Sequence, residues 1–115
     1  MNSPKVELFE KPSLHNTASP TIITYAEFAS RKSAIISRYP GENGDLLILY
    51  LMADFGYPLV EMFTPTADSF EFPTYFDSGN HSMFVGKQIQ AFFTVIRRSR
   101  LLGFSRTLNF EILDK

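Results

Sequence analysis

The sequence predicts an α+β domain: one N-terminal amphipathic helix packed on a mostly antiparallel, curved sheet of four to five strands. Three observations lead to this fold class. Residues 24–39 place apolar side chains at helical spacing behind a capping signal. Residues 46–52 and 59–63 are apolar runs on either side of a turn, and residues 104–113 alternate between apolar and polar side chains. The 115 residues are enough for one domain.

The first 21 residues are predicted to form an arm ahead of a single globular domain over residues 22–115. Pro4, Pro12 and Pro20 recur in this arm, and the residues between them are mostly polar. Such a segment is either mobile or lies along the surface of the domain or of a partner subunit.

The predicted helix carries signals at both ends. Thr24 and Glu27 have the spacing of a capping box, and Ile23 and Phe28 have that of a hydrophobic staple. The Pro-Gly pair that follows Tyr39 is expected to end the helix. The face expected to lie on the sheet comprises Tyr25, Phe28, Ala29, Ile35 and Ile36.

A hairpin is predicted next. Residues 46–52 have the pattern of a strand that is buried on both faces, residues 54–58 form a turn, and residues 59–63 return antiparallel. Residues 69–76 are expected to form a short edge strand, because Pro73 cannot donate to a sheet ladder.

Residues 83–98 fit two patterns. A helix places Val85, Ile89 and Phe92 on one face, and a strand places Val85, Ile89 and Phe93 on one side. We favour the strand, because glycine at position 86 disfavours a helix and the Phe-Phe-Thr-Val-Ile run favours a sheet.

The last predicted strand spans residues 104–113, with Leu108, Phe110 and Ile112 facing the core. One long helix followed by antiparallel strands resembles cystatin-like and NTF2-like architectures. That resemblance concerns element order and implies a helix lying across a curved sheet.

Charge is distributed unevenly along this nearly neutral chain, whose net charge is −1. Residues 39–86 contain seven acids and no Lys or Arg, and residues 78–110 contain five bases and no acid. Opposed blocks of this kind either pair inside the fold or present a charged face to a partner. We expect them to pair.

The bases give the alternative function its candidate site. Guanidinium groups at a hairpin tip suit phosphate recognition, and an adjacent phenyl ring can stack on a base. The candidate residues for binding phosphate or another partner are Lys87, Arg97, Arg98, Arg100, Phe104 and Arg106.

Composition argues against several classes of chemistry. The chain has no Cys and two His, and its acids are scattered, so we expect no metal and no cofactor. Asp77, Ser78, His81 and Ser82 are hydrolase residue types, but one short loop seldom builds a triad, so we expect a polar loop with an exposed His and no enzyme. No apolar run is long enough to cross a membrane and no signal peptide is visible, which favours a cytoplasmic protein.

The leading hypothesis is a small non-enzymatic interaction or regulatory module that binds another macromolecule, as a homodimer. Twelve Phe against no Trp are more aromatic rings than a small core readily hides, and aromatic side chains are enriched at interfaces. The alternative is a nucleic-acid-binding protein that uses the C-terminal arginine cluster. An enzyme or small-molecule pocket inside the curved sheet ranks third.

Overall fold

Two β-sheets make up most of the protein, in place of the predicted α+β fold. The computed structural model describes residues 5–54 and 58–115; 53% of it is strand and 7% is helical, with no helix of seven or more residues. The predicted fold class is therefore wrong, and with it the likeness to architectures in which a long helix crosses a sheet.

The larger sheet has seven strands. They are β1 (Glu7–Phe9), β3 (Ile22–Ile23), β5 (Leu46–Met52), β6 (Leu59–Phe63), β8 (Gln88–Arg97), β9 (Arg100–Ser105) and β10 (Leu108–Ile112). The smaller sheet has three strands, β2 (Ser13–His15), β4 (Ala34–Gly41) and β7 (Ser69–Tyr75). The helical elements are α1 (Tyr25–Ala29) and a 3-10 turn (Ser82–Phe84).

Strand β8 is the centre of the larger sheet. Antiparallel β5 lies on one side of it, with β6 beyond. On the other side β9 and β10 lie end to end, both antiparallel to β8. The short strands β1 and β3 add to β9 and β10 in parallel. In the smaller sheet β4 lies between β2 and β7, and both pairings are antiparallel.

The core lies between the two sheets. The larger sheet contributes Leu49, Phe93 and Phe110, and the smaller sheet contributes Ile35 and Tyr39, all at most 3% exposed. Inward-facing residues of both sheets thus form one continuous cluster, as in a β-sandwich.

The predicted helix begins correctly and ends early. The capping box is confirmed: the Thr24 hydroxyl accepts from the Glu27 N–H at 3.2 Å, and the Glu27 carboxylate accepts from the Thr24 N–H at 2.9 Å. After Ala29 the chain leaves the helix, because Ser30 caps it and Arg31 takes a left-handed φ of 62°.

Residues 34–39 of the predicted helix belong to strand β4. Ile35, Ile36 and Tyr39 fit a helical spacing, but β-branched and aromatic side chains favour a sheet. Residues 33–37 are buried throughout, since β4 has a neighbour on each edge and the core beneath it. A helix on the surface of a domain exposes one face to water, so it would not bury five consecutive residues.

Three strand predictions are confirmed. Strands β5 and β6 form the antiparallel hairpin, although residues 55–57 of its predicted turn lie outside the described residues. Strand β7 is an edge strand that contains Pro73. The strand interpretation of 83–98 holds for β8, and the helical alternative does not.

Burial within the strands agrees with one prediction and corrects another. Leu108, Phe110 and Ile112 face the core as predicted. Strand β5 buries one face only, because its alternate residues remain partly exposed. Within the predicted arm, β1 belongs to the larger sheet and β2 to the smaller one.

Candidate interaction surface on the larger sheet

The larger sheet has a second face, turned away from the core, and its centre is apolar. Residues paired across neighbouring strands project to the same side of a sheet. One such row crosses five strands. From β6 to β1 it consists of Met62, Ile48, Thr94, Phe104 and Leu8.

Two shorter rows flank this central row. Val60, Tyr50 and Phe92 form one of them, and the rings of Tyr50 and Phe92 are stacked with centroids 4.8 Å apart. The other row consists of Leu46, Ile96 and Leu101. We call these three rows together the outer apolar face. Only Thr94 and Tyr50 among its residues carry a polar group, a hydroxyl in each case, and none of its residues is charged.

The described parts of the chain leave much of this face uncovered. Met62 is 67% exposed, Leu8 52% and Phe104 44%. Each residue on one face of a sheet occupies about 4.8 Å by about 6.8 Å, so eleven residues cover about 360 Å². Apolar patches of this size on a single chain are often functional.

A polar region borders the outer apolar face at the β10 end of the sheet. Gln88 and Glu111 are paired there and hydrogen-bonded at 3.1 Å, and Gln90 is paired with Asn109. The same side of the sheet therefore has an apolar region and a polar border, the arrangement typical of protein interfaces.

Other exposed aromatic rings lie off this face. Phe70 on β7 is 71% exposed, and Phe63 on β6 is 54% exposed with its ring 6.0 Å from that of Phe72. Phe63 is paired with the buried Leu47, so it projects toward the core side of the sheet. These rings lie where the edges of the two sheets approach each other.

Of the candidate site residues, Arg97 is committed to an internal cluster. Its guanidinium donates to the Asp45 carboxylate at 2.8 and 2.9 Å and to the carbonyl of Pro40 at 3.0 Å, and it lies 3.0 Å from Glu42. The Tyr39 hydroxyl donates to the same carboxylate at 2.9 Å. The expected pairing of acidic and basic blocks is present at this point.

Hydrogen bonds set the protonation states in this cluster. The bonds from Arg97 hold the pKa of Asp45 down at about 2, despite its burial. Burial and the bond to the Asp45 carboxylate raise the pKa of Tyr39. Asp45 is therefore ionised and Tyr39 neutral over the physiological range.

The remaining candidate residues do not form one patch. Lys87 is ten residues from Arg97 along β8, about 33 Å in an extended strand. It lies 3.8 Å from Asp54, and Arg98 lies 3.7 Å from Glu42. For Arg100 and Arg106 no acid of the described chain lies within ion-pair distance, and Phe104 belongs to the outer apolar face.

His81 is buried, so the expected exposed histidine is wrong. Its Nδ1 accepts from the Asp77 N–H at 2.8 Å, which places the ring proton on Nε2, 2.7 Å from Glu61. The Ser82 hydroxyl donates to the carbonyl of Gly79 and not to the imidazole. Both ring nitrogens are occupied, and this geometry offers no base to a nucleophile.

An open groove of about 790 Å³ lies between β1, β4 and β7. Two of its three charged residues, Arg38 and Glu71, are paired at 2.9 Å, and Arg38 also donates to the Ser13 hydroxyl. The described residues contain no group of three His, Asp or Glu able to hold a metal ion, and no helix among them is long and apolar enough to cross a membrane.

Comparison with family models, with curated proteins and with solved structures found no match to this chain. The site is therefore described from its own geometry. Sequence reasoning did not identify the outer apolar face, although a signal was present: β5 is apolar at every position. That pattern predicts burial on both faces of β5, but the structure buries only one of them.

Proposed function

We propose that the protein is a small non-enzymatic interaction module that forms a homodimer through its outer apolar face. The observation that supports this is the three-row, charge-free surface, in which Met62, Phe104 and Leu8 are each more than two-fifths exposed. A lone subunit would leave this surface in water. Covering it stabilises a complex by the hydrophobic effect.

A second copy of the chain is the occupant that fits best. Isologous pairing sets a patch against the same patch on the other copy, so a charge near the two-fold axis would approach its own equivalent. The outer apolar face carries none. Two sheets pack face to face at about 10 Å with interdigitating side chains, and a central row of five residues on each copy suits that arrangement.

The area favours an association of moderate strength. The outer apolar face covers about 360 Å² by strand geometry, whereas a standard interface buries about 800 Å² on each partner. The polar border at Gln90 and Asn109 would add a rim to this area, and the total stays below that of a standard interface. We therefore expect a dimer at micromolar chain concentrations. Regulation of another macromolecule and a cytoplasmic location stay predictions from the sequence.

Light scattering coupled to size-exclusion chromatography tests the proposal. The wild type should have twice the chain mass, and Met62→Lys or Phe104→Lys should have the mass of one chain. Phe70→Lys is the matched control, because it places the same charge on an exposed ring outside the face. A monomeric wild type at high concentration, or dissociation by Phe70→Lys alone, would refute the proposal.

A further inference from the structure

We propose a second binding site, for the phosphate of a nucleotide, at the tip of the β8–β9 hairpin. A concave pocket of about 330 Å³ lies there. Its walls are formed by Lys5, Arg97, Arg98, Arg100, Leu101 and Leu102. This site goes beyond dimer formation, although Leu101 belongs both to its wall and to the outer apolar face.

The turn itself indicates a function for Arg98, the residue of its loop that lines the pocket. Arg97 and Arg100 are paired, so the loop consists of Arg98 and Ser99, whose φ angles are 53° and 64°. A two-residue hairpin loop with two positive φ angles is a type I′ turn, which favours Asn-Gly. Arg and Ser are strained in this conformation, and such strain concentrates at ligand sites.

Charge in the pocket exceeds what its acidic neighbours compensate. Asp45 neutralises Arg97. The side chain of Arg98 is 84% exposed, and it shares the Glu42 carboxylate with Arg97. For Lys5 and Arg100, the described residues provide no acid within ion-pair distance.

The chemistry of the walls selects the ligand class. Guanidinium forks and an ammonium group bind phosphate oxygens with charge-assisted hydrogen bonds. Leu101 and Leu102 provide an apolar wall against which a flat base can lie. The volume is near the lower limit of small-ligand pockets, about 300 Å³, which suits a mononucleotide.

Isothermal titration with adenosine diphosphate, in metal-free buffer at low salt, tests the site. Arg100→Gln should weaken binding by about tenfold, because it removes a charge-assisted contact. Arg106→Gln is the matched control, since Arg106 carries the same charge outside the pocket, and its affinity should stay within about twofold of wild type. Equal losses in the two variants would reveal non-specific charge attraction and overturn the proposal.

Two turn variants separate the side chain from the backbone. Arg98→Asn suits the turn but removes the guanidinium, so it should weaken binding. Ser99→Gly relieves strain and should leave affinity unchanged. A wild-type affinity in Arg98→Asn would contradict the site. The Met62→Lys variant, which should be monomeric, should bind the nucleotide as tightly as wild type does. The nucleotide site can therefore be tested independently of the dimer.

Competition identifies which part of the ligand is recognised. Inorganic phosphate should displace the nucleotide, and adenosine should not. Displacement by adenosine alone would overturn a phosphate site. A single-stranded oligonucleotide that binds more tightly than the nucleotide and is weakened equally by Arg100→Gln and Arg106→Gln would also overturn it, in favour of an extended nucleic-acid surface.

Discussion

The Arg97 guanidinium and the Asp45 carboxylate form a bidentate ion pair at one end of the larger sheet, and each partner also bonds to the smaller sheet. Arg97 ends β8 of the larger sheet and also donates to the carbonyl of Pro40 in the smaller sheet. Asp45 precedes β5 of the larger sheet and accepts from Tyr39 of the smaller sheet. Arg97 and three residues of the 39–45 segment thus hold the two sheets together at one end.

Removing the carboxylate charge should destabilise the fold strongly. Asp45→Asn leaves the largely buried guanidinium of Arg97 without its bidentate partner, so unfolding should become easier by about 3 kcal/mol. Urea denaturation at neutral pH measures this difference. Arg106→Ala removes an exposed charge and should change stability by less than about 0.5 kcal/mol. Similar small effects from both variants would show that the pair does not join the sheets.

The same pair makes stability depend on pH in acid. The pKa of Asp45 falls from 3.8 to about 2 on folding, so the stabilisation is complete above about pH 4 and is lost as pH falls through 2. A shift of this size corresponds to about 2 kcal/mol. Denaturation at pH 7, 4 and 2 measures the difference in unfolding free energy between wild type and Asp45→Asn. This difference should decrease as the pH falls from 4 to 2. A constant difference would contradict it.

Glycine in the β8–β9 turn should stabilise the protein. Ser99 has a φ of 64°, and glycine adopts such angles without steric cost, so Ser99→Gly should add about 1 kcal/mol. Ser69→Gly, in strand β7, has no positive φ to relieve and should cost about 0.5–1 kcal/mol. The midpoint temperature of thermal unfolding should therefore rise in Ser99→Gly and fall in Ser69→Gly. Shifts of the same sign would disprove the strained turn.

The helix cap should be worth a measurable amount even though α1 is short. Thr24→Ala removes the acceptor for the Glu27 N–H and should cost about 1 kcal/mol. Thr24→Ser keeps that acceptor and should stay close to wild type. Chemical denaturation distinguishes the two. Equal losses would assign the effect to the lost methyl group instead of the cap.

Local signals predicted a large part of the fold. The capping box at Thr24, the hairpin of β5 and β6, and the inward side of β10 each depend on residues close in sequence. The helix prediction failed at residues 34–39, where one set of apolar residues satisfies both periods. Pairing with β2 and β7 stabilises the strand, and the local sequence pattern does not contain that pairing.

The candidate site was predicted only in part for a related reason. Opposed charge blocks predicted that Arg97 would find acidic partners, but not that Asp45 would be one of them. The outer apolar face arises from register across five strands. No local pattern contains that register, and a strand with two apolar faces appears the same whether its second face meets a core or water.

The most direct test of the central claim is a mixed sample in which half the chains carry isotope labels, examined by filtered nuclear Overhauser spectroscopy. The homodimer predicts contacts between copies that connect the Met62 and Ile48 methyl groups with the rings of Phe92, Tyr50 or Phe104. Contacts between copies confined to Phe63 and Phe70, or none at millimolar chain concentration, would contradict it.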